Sequence, residues 1–391
     1  MATKPTARRL VPWLEDPKRI DVLRSLFPPR RVLITGGTAR QGGAPGQLHA
    51  SAEIYDPASG QFVPTGAMIA ARASHVAVAL GQERVIVSGG LSAAGNSSRY
   101  TDSAEIYAGG TFRAVSSMVV SRAGHQATVL YGGTVLMAGG VGTDPAEPMD
   151  PTLSSAEYLN PLCASEFRYE FVRTAGAMMD NRNRHTLTAL KRRPLALVAG
   201  GYPGSGELAL RSAEIYDHQS RTFLPLEGTM VEPRVAHAAV LLRDGRVLLA
   251  GGSTRNGGAG LQRSAELFDP ATMSFTATGS MASARDRATA TLLPDGRVLI
   301  AGGFGSNGAI LRSAEIYDPA TGRFNSAGNM RAERAYHTAT PLGDGRILIA
   351  GGLVANGDGL SSAEIFNPDS GNFSFTGSMS VGRLHHAATA L

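Results

Sequence analysis

AHAAVLLRDGRVLLAGG, residues 236–252, reads as two apolar runs folded back on each other at Asp244-Gly245. Asp-Gly supplies the positive φ angles of a tight hairpin, and the Val- and Leu-rich flanks suit paired strands. Gly251-Gly252 closes the second run, where a missing Cβ permits unusual backbone or close packing. Downstream, SAELFDPATMSF (264–275) supplies a third strand over Ser264–Phe268, a turn at Asp269-Pro270 and a fourth strand around Phe275. The copy ends in TATGSMASAR (276–285), a methionine followed four residues later by an arginine.

The same order of landmarks is written seven times, with Gly pairs beginning at Gly36, Gly89, Gly139, Gly200, Gly251, Gly302 and Gly351. Their separations of 53, 50, 61, 51, 51 and 49 residues mark an array of supersecondary units. Four short antiparallel strands cannot bury both faces alone, so the units must stack, and radial stacking gives a β-propeller. The first copy opens at Arg31 without a first strand, while His386–Leu391 is a first strand with nothing after it. The two ends are therefore expected to complete one blade.

The Gly-Gly doublet, the downstream Glu-Ile-Tyr strand and the later aromatic resemble kelch repeats over residues 31–391. The resemblance implies an all-β fold: a seven-bladed kelch-type propeller with four antiparallel strands per blade, closed when the C-terminal strand becomes the innermost strand of the first blade. Residues 1–30 stand apart as an N-terminal extension. There Asp16-Pro17 reads as a helix start, Ile20, Leu23 and Phe27 share one helical face, and Pro28-Pro29 stops the run.

Composition narrows the function classes. The net charge of +5 is modest for 391 residues, and no basic stripe with interleaved aromatics points to nucleic acid. No apolar run approaches the roughly 20 residues needed to span a bilayer. With Cys163 as the single cysteine there is no intrachain disulfide. MATKPTARRLVPWLEDPKRIDVLRSLF breaks its apolar residues with charge, unlike a secretory signal, so a cytoplasmic monomer is expected where Met1 is the natural start.

Two polar series recur with the repeat. Arg72, Arg122, Arg182, Arg234, Arg285, Arg334 and Arg383 each follow a methionine by four residues; three residues on stands His75, His125, His185, His237, His337 or His386, with Ala288 in the fifth copy. The arginines read either as a cationic funnel or as partners of Glu53, Glu105, Glu157, Glu214, Glu266, Glu315 and Glu364, one per copy. Pairing within the scaffold is the preferred reading. Histidines spread around a ring diverge rather than converge on a metal, and are expected to join neighbouring blades.

Galactose oxidase and glyoxal oxidase share the kelch-like architecture, and Tyr336-His337 resembles the Tyr-His pair of their copper site. That resemblance also implies a cysteine crosslinked to a second tyrosine from early blades and a further histidine from a C-terminal domain. Cys163 stands elsewhere, in Asn160-Pro161-Leu162-Cys163, and no such domain follows, so no metal or other cofactor is expected.

Departures from the repeat fall in copies three to seven: Asp180, Asn181, Asn183 and Arg184, then Glu232, Asp286 and Arg287, Arg331, Glu333 and Tyr336 beside His337, and His385. They form the candidate ligand-binding face. Insertions at Val141–Leu153 and Pro161–Glu170 account for the long third copy and read as loops. No nucleotide loop, zinc cluster or nucleophile elbow is present. The expected activity is noncatalytic binding of a protein segment or small anionic ligand at the loop face around the central channel. The alternative is a copper-independent enzyme of kelch type, such as a sugar epimerase, lyase or cyclase, with its site on that face.

Overall fold

The computed structural model describes residues 30–391 apart from 40–45, 95–96, 145, 147–150, 164–167, 192, 205–207 and 256. The helix expected before Pro28 lies outside the described residues. Among those described, regular structure is β-strand with one short 3-10 turn, Ser306–Gly308, and no helix is long and apolar enough to cross a membrane.

Among the described residues the strands form seven four-stranded antiparallel sheets plus three smaller ribbons. In the copy read above, Ala238–Leu241, Val247–Ala250, Ala265–Asp269 and Ser274–Ala277 pair in chain order. The third strand begins at Ala265, one residue later than its expected Ser264 start, and the carbonyl and hydroxyl of Ser264 accept from the Arg234 guanidinium. At the hairpin, Gly245 takes φ +96° and the Asp244 carboxylate accepts the Arg246 amide.

Burial explains why the second strands read as unbroken apolar runs. Val247–Ala250, Val298–Ala301 and Ile347–Ala350 are buried at every position, because each sheet is covered on both faces by its neighbours. The core consequently lies between sheets. Leu293 and Leu299 of one sheet pack with Ile347, Ile349, Phe366 and Phe373 of the next, while Val32 and Ile34 pack with Leu348 and Ile365.

The first sheet combines the two ends of the repeat array. Ala387–Ala390 pairs with Val32–Thr35, which continues to Ala52–Asp56 and Gln61–Pro64. The inner strands follow one another from Val76–Gly81 through Gln126–Val129, Thr186–Ala189, Ala238–Leu241, Thr289–Leu292 and Thr338–Pro341 to Ala387–Ala390, which again neighbours Val76–Gly81.

Neighbouring sheets are tied by the recurring polar residues. Arg285, in the linker entering the sixth sheet, donates to the carbonyls of Gly302 and Ser313, to the Ser313 hydroxyl and to Glu315 at 2.8 Å. Its own carbonyl accepts the amide of Gly252 in the preceding sheet. Glu315 also accepts the linker amides of Ala282 and Ser283. The set recurs at every linker, including Arg383 with Glu53 across the chain ends, and each arginine side chain is 0–1 % exposed. The arginines are scaffold.

The glycine doublets belong to the same device. A Cβ on Gly302, at φ +62°, would lie 2.4 Å from the Arg334 carbonyl, 2.8 Å from His337 Cε1 and 3.0 Å from Met330 Cε. Gly-Gly, Met, Arg and His therefore recur together because they touch. Replacing Arg285 with Ala strands Glu315 in the interior and is expected to lower unfolding free energy by about 3–5 kcal/mol in denaturant titration. A loss below about 1 kcal/mol would show that the clamp carries little.

Candidate functional site

Two residues beyond each clamp arginine the backbone enters the left-handed region. Ser74, Arg184, Ala236, Arg287, Tyr336 and His385 have φ between 50° and 56°, and Gly124 has 63°. Their peptide groups link neighbouring units: Ser74 N donates to His385 O and Gly124 N to Ser74 O, while Ala236 N donates to Arg184 O and Arg287 N to Ala236 O. This belt explains the conformation. Only Gly124 adopts it cheaply, since a left-handed L-residue is disfavoured by roughly 1–2 kcal/mol.

All seven belt residues line one cavity of ≈ 990 Å³ around the channel mouth. Ser74, Gly124 and Ala236 contribute little bulk, whereas Arg184, Arg287, Tyr336 and His385 crowd the remainder. The Tyr336 and His385 rings lie 4.1 Å apart, and Phe304 meets Tyr336 edge-on at 5.6 Å. The Arg287 guanidinium sits 5.2 Å from the Tyr336 ring centre and 5.4 Å from that of Phe304, within cation–π range. Its Nη1 donates to Asp286 Oδ2 at 2.9 Å.

Electrostatics concentrate in the same sector. Burial lowers the Arg184 pKa, and the Arg287 charge lowers it further. Asp286, 1 % exposed, has its pKa raised by burial, with the charges of Arg287 and Arg184 opposing that rise.

The residues singled out by repeat departure divide into groups. Asn183, Arg184, Arg287, Tyr336 and His385 share the cavity lining, and Asp286 touches it through Arg287. Asp180 instead serves the clamp, bonding the Ser212 hydroxyl and Arg182 Nη2. Arg331 donates from Nε to the Phe373 carbonyl, and Glu333 accepts the Ala355 amide. Glu232 is exposed and Asn181 half-buried outside the cavity lining. Phe304, the first residue after the sixth Gly pair, escaped the sequence reading; its signal was an aromatic, shared with Tyr202 of the fourth copy, where the remaining copies have Thr38, Leu91, Val141, Ser253 and Leu353.

His337 is buried and holds Thr289 Oγ1 at 3.1 Å through Nε2. The rule is shared: His237 meets Thr186 and His386 meets Thr338, each threonine being the residue after the preceding unit's histidine position. Where the fifth copy has Ala288, the corresponding partner position holds Ala238. His75 follows a blade with Ala387 at that position, and takes Thr35 instead at 2.9 Å.

The copper set suggested by Tyr336-His337 does not fit. Tyr336 stacks with His385 at the mouth, whereas His337 is turned into the inter-sheet contact, with Cε1 against Gly302 and Nε2 on Thr289. Among the described residues, no group of three or more His, Cys, Asp or Glu is placed to hold a metal ion. Cys163 ends the strand Ala156–Cys163, which pairs with Arg168–Arg173 at the outer edge of the third sheet.

That pairing also corrects the reading of the insertions as loops. Pro161–Cys163 and Arg168–Glu170 extend the paired outer strands, and Val141–Thr143 pairs with Ser121–Ala123.

Comparison with known proteins gives the architecture a family context. The kelch motif model matches residues 289–331, which run from the inner strand of the sixth sheet through its outer strand to Arg331. The chain carries a kelch motif. A solved structure of a fungal alcohol oxidase of the AA5 family, in complex with copper, is similar in fold, with a TM-score of 0.64 and 18% identity over 83% of this chain and 68% of that chain. No curated protein matches the chain. The kelch motif and the shared fold support the resemblance read from the repeat, and the kelch-like propeller places its linkers and post-Gly-Gly loops around one mouth.

Burial and the flanking arginines lower the pKa of His75, His185, His237, His337 and His386 to about 3, and that of His125 well below its ordinary 6.5. The folded protein binds fewer protons than the unfolded chain below pH 6.5, so stability falls with pH from there toward about 3. Melting temperature is expected to drop steadily between pH 7 and 4; a flat profile would contradict neutral buried histidines.

Proposed function

We propose that the chain is a noncatalytic, seven-bladed kelch-type propeller, closed by Ala387–Ala390, which binds a small anionic ligand at the Arg184–Arg287–Tyr336–His385 sector of its mouth. One observation carries this reading. At belt positions where glycine is the least strained choice, four hold large functional side chains in left-handed backbone, and all four line the same cavity. Strain retained against the local preference is a feature of binding and catalytic sites. Arginine forks match carboxylate or phosphate, and the adjacent rings supply a stacking wall for a planar body. A protein segment presenting a carboxylate meets the same chemistry.

A second reading, a copper-independent enzyme such as a sugar epimerase, lyase or cyclase, draws on a different observation. Tyr336 and His385 are in contact beside Arg287, and the neighbouring Asp286 carboxyl has a pKa raised by burial. Those are groups that proton transfer uses.

Arg184→Gly and His385→Gly separate scaffold from site, because Gly124 already occupies the equivalent belt position. Both variants are expected to unfold within about 1 kcal/mol of wild type or later, as strain is relieved. Binding of small carboxylates and phosphate esters, measured by calorimetry and by ligand-dependent melting, is expected to weaken at least about tenfold. Unchanged affinity in folded variants would refute the site. Conversion of a bound sugar acid, abolished by Tyr336→Phe, would favour the enzyme.

A further inference from the structure

The residue preceding each belt position is Ala73, Ala123, Asn183, Val235, Asp286, Ala335 or Leu384, so one ionisable group stands in a column otherwise made of small or apolar residues and one neutral amide. A carboxylate buried there is costly unless paired. Asp286 is 1 % exposed and accepts Arg287 Nη1 at 2.9 Å.

The belt places this pair beside a gap. Arg184 O accepts the Ala236 amide at 3.0 Å, and Ala236 O accepts the Arg287 amide at 2.9 Å, so the two arginines flank a unit whose belt side chain is a methyl group. All three residues line the cavity. Together, Arg184, Arg287 and Asp286 carry a single excess positive charge.

We propose that the anion seat lies over Ala236 between Arg184 and Arg287, and that Asp286 sets its charge preference, favouring a monoanionic group over a dianionic one. The inference rests on the mouth being an anion site. Asp286 acts through Arg287: it anchors the guanidinium against the Phe304 and Tyr336 rings and offsets its charge. A carboxylate or phosphodiester thus meets a matched field, whereas a phosphomonoester dianion is opposed by the carboxylate behind Arg287.

The test compares phenyl phosphate, a dianion at pH 8, with methyl phenyl phosphate, a monoanion of nearly the same body, by calorimetry at fixed ionic strength. Wild type is expected to bind the diester at least as well as the monoester. Asp286→Ala adopts the residue that three other copies use, and Asp286→Asn keeps the shape. Each is expected to shift the affinity ratio toward the dianion by about tenfold, the effect of one nearby unit charge in a partly solvated site. An unchanged ratio in both folded variants, with binding still abolished by Arg184→Gly, overturns the role of Asp286 while leaving the anion site standing. Failure of wild type to bind either probe overturns both.

Discussion

A guanidinium reaching across each linker holds this protein together. It uses its two terminal nitrogens on two backbone carbonyls, a serine hydroxyl and a carboxylate, so a charge with almost no solvent access is held by four acceptors. The carbonyl of the same arginine is held by the preceding sheet, so one residue fixes the spacing and tilt of two neighbours. Apolar contacts between sheets supply area without direction, whereas the clamp supplies direction. The glycine pairs, methionines and histidines are its steric corollaries.

That dependence explains how the sequence could be read. Strand order, hairpins and the joining of His386–Leu391 to the first sheet were legible because each follows from local chemistry repeated in register. The choice of Glu over ligand as the arginines' partner was legible from their one-to-one occurrence. The belt was less so. Left-handed backbone at Arg184, Ala236, Arg287, Tyr336 and His385 leaves no mark in residue type, and Gly124 alone hints at it. Asp180 misled because a polar departure from the repeat can serve the scaffold, here by joining Arg182 and Ser212. Phe304 was hidden because its role depends on where the post-glycine loop lies relative to the next linker.

Scaffold and site occupy adjacent residues yet answer to different constraints. The clamp arginine is invariant among the copies, the histidine after it is buried between strands, and the intervening belt residue faces the channel. Of the four positions from the clamp arginine to the histidine, the third faces the mouth while the first and last are interior. The copies can diverge at that third position with little effect on the others, and four units have filled it with charged or aromatic groups.

Pairing Val32–Thr35 with Ala387–Ala390 has a consequence for synthesis. Arg383 and Glu53 are 330 residues apart, so their contact forms only after that much further chain has left the ribosome. The other sheets are local in sequence and can assemble as they emerge. The apolar edge of Val32–Thr35 must wait, and for that interval a nascent chain presents an open strand to any neighbour with a matching edge. Crowding on polysomes is therefore a condition under which this arrangement of strands is exposed to mispairing.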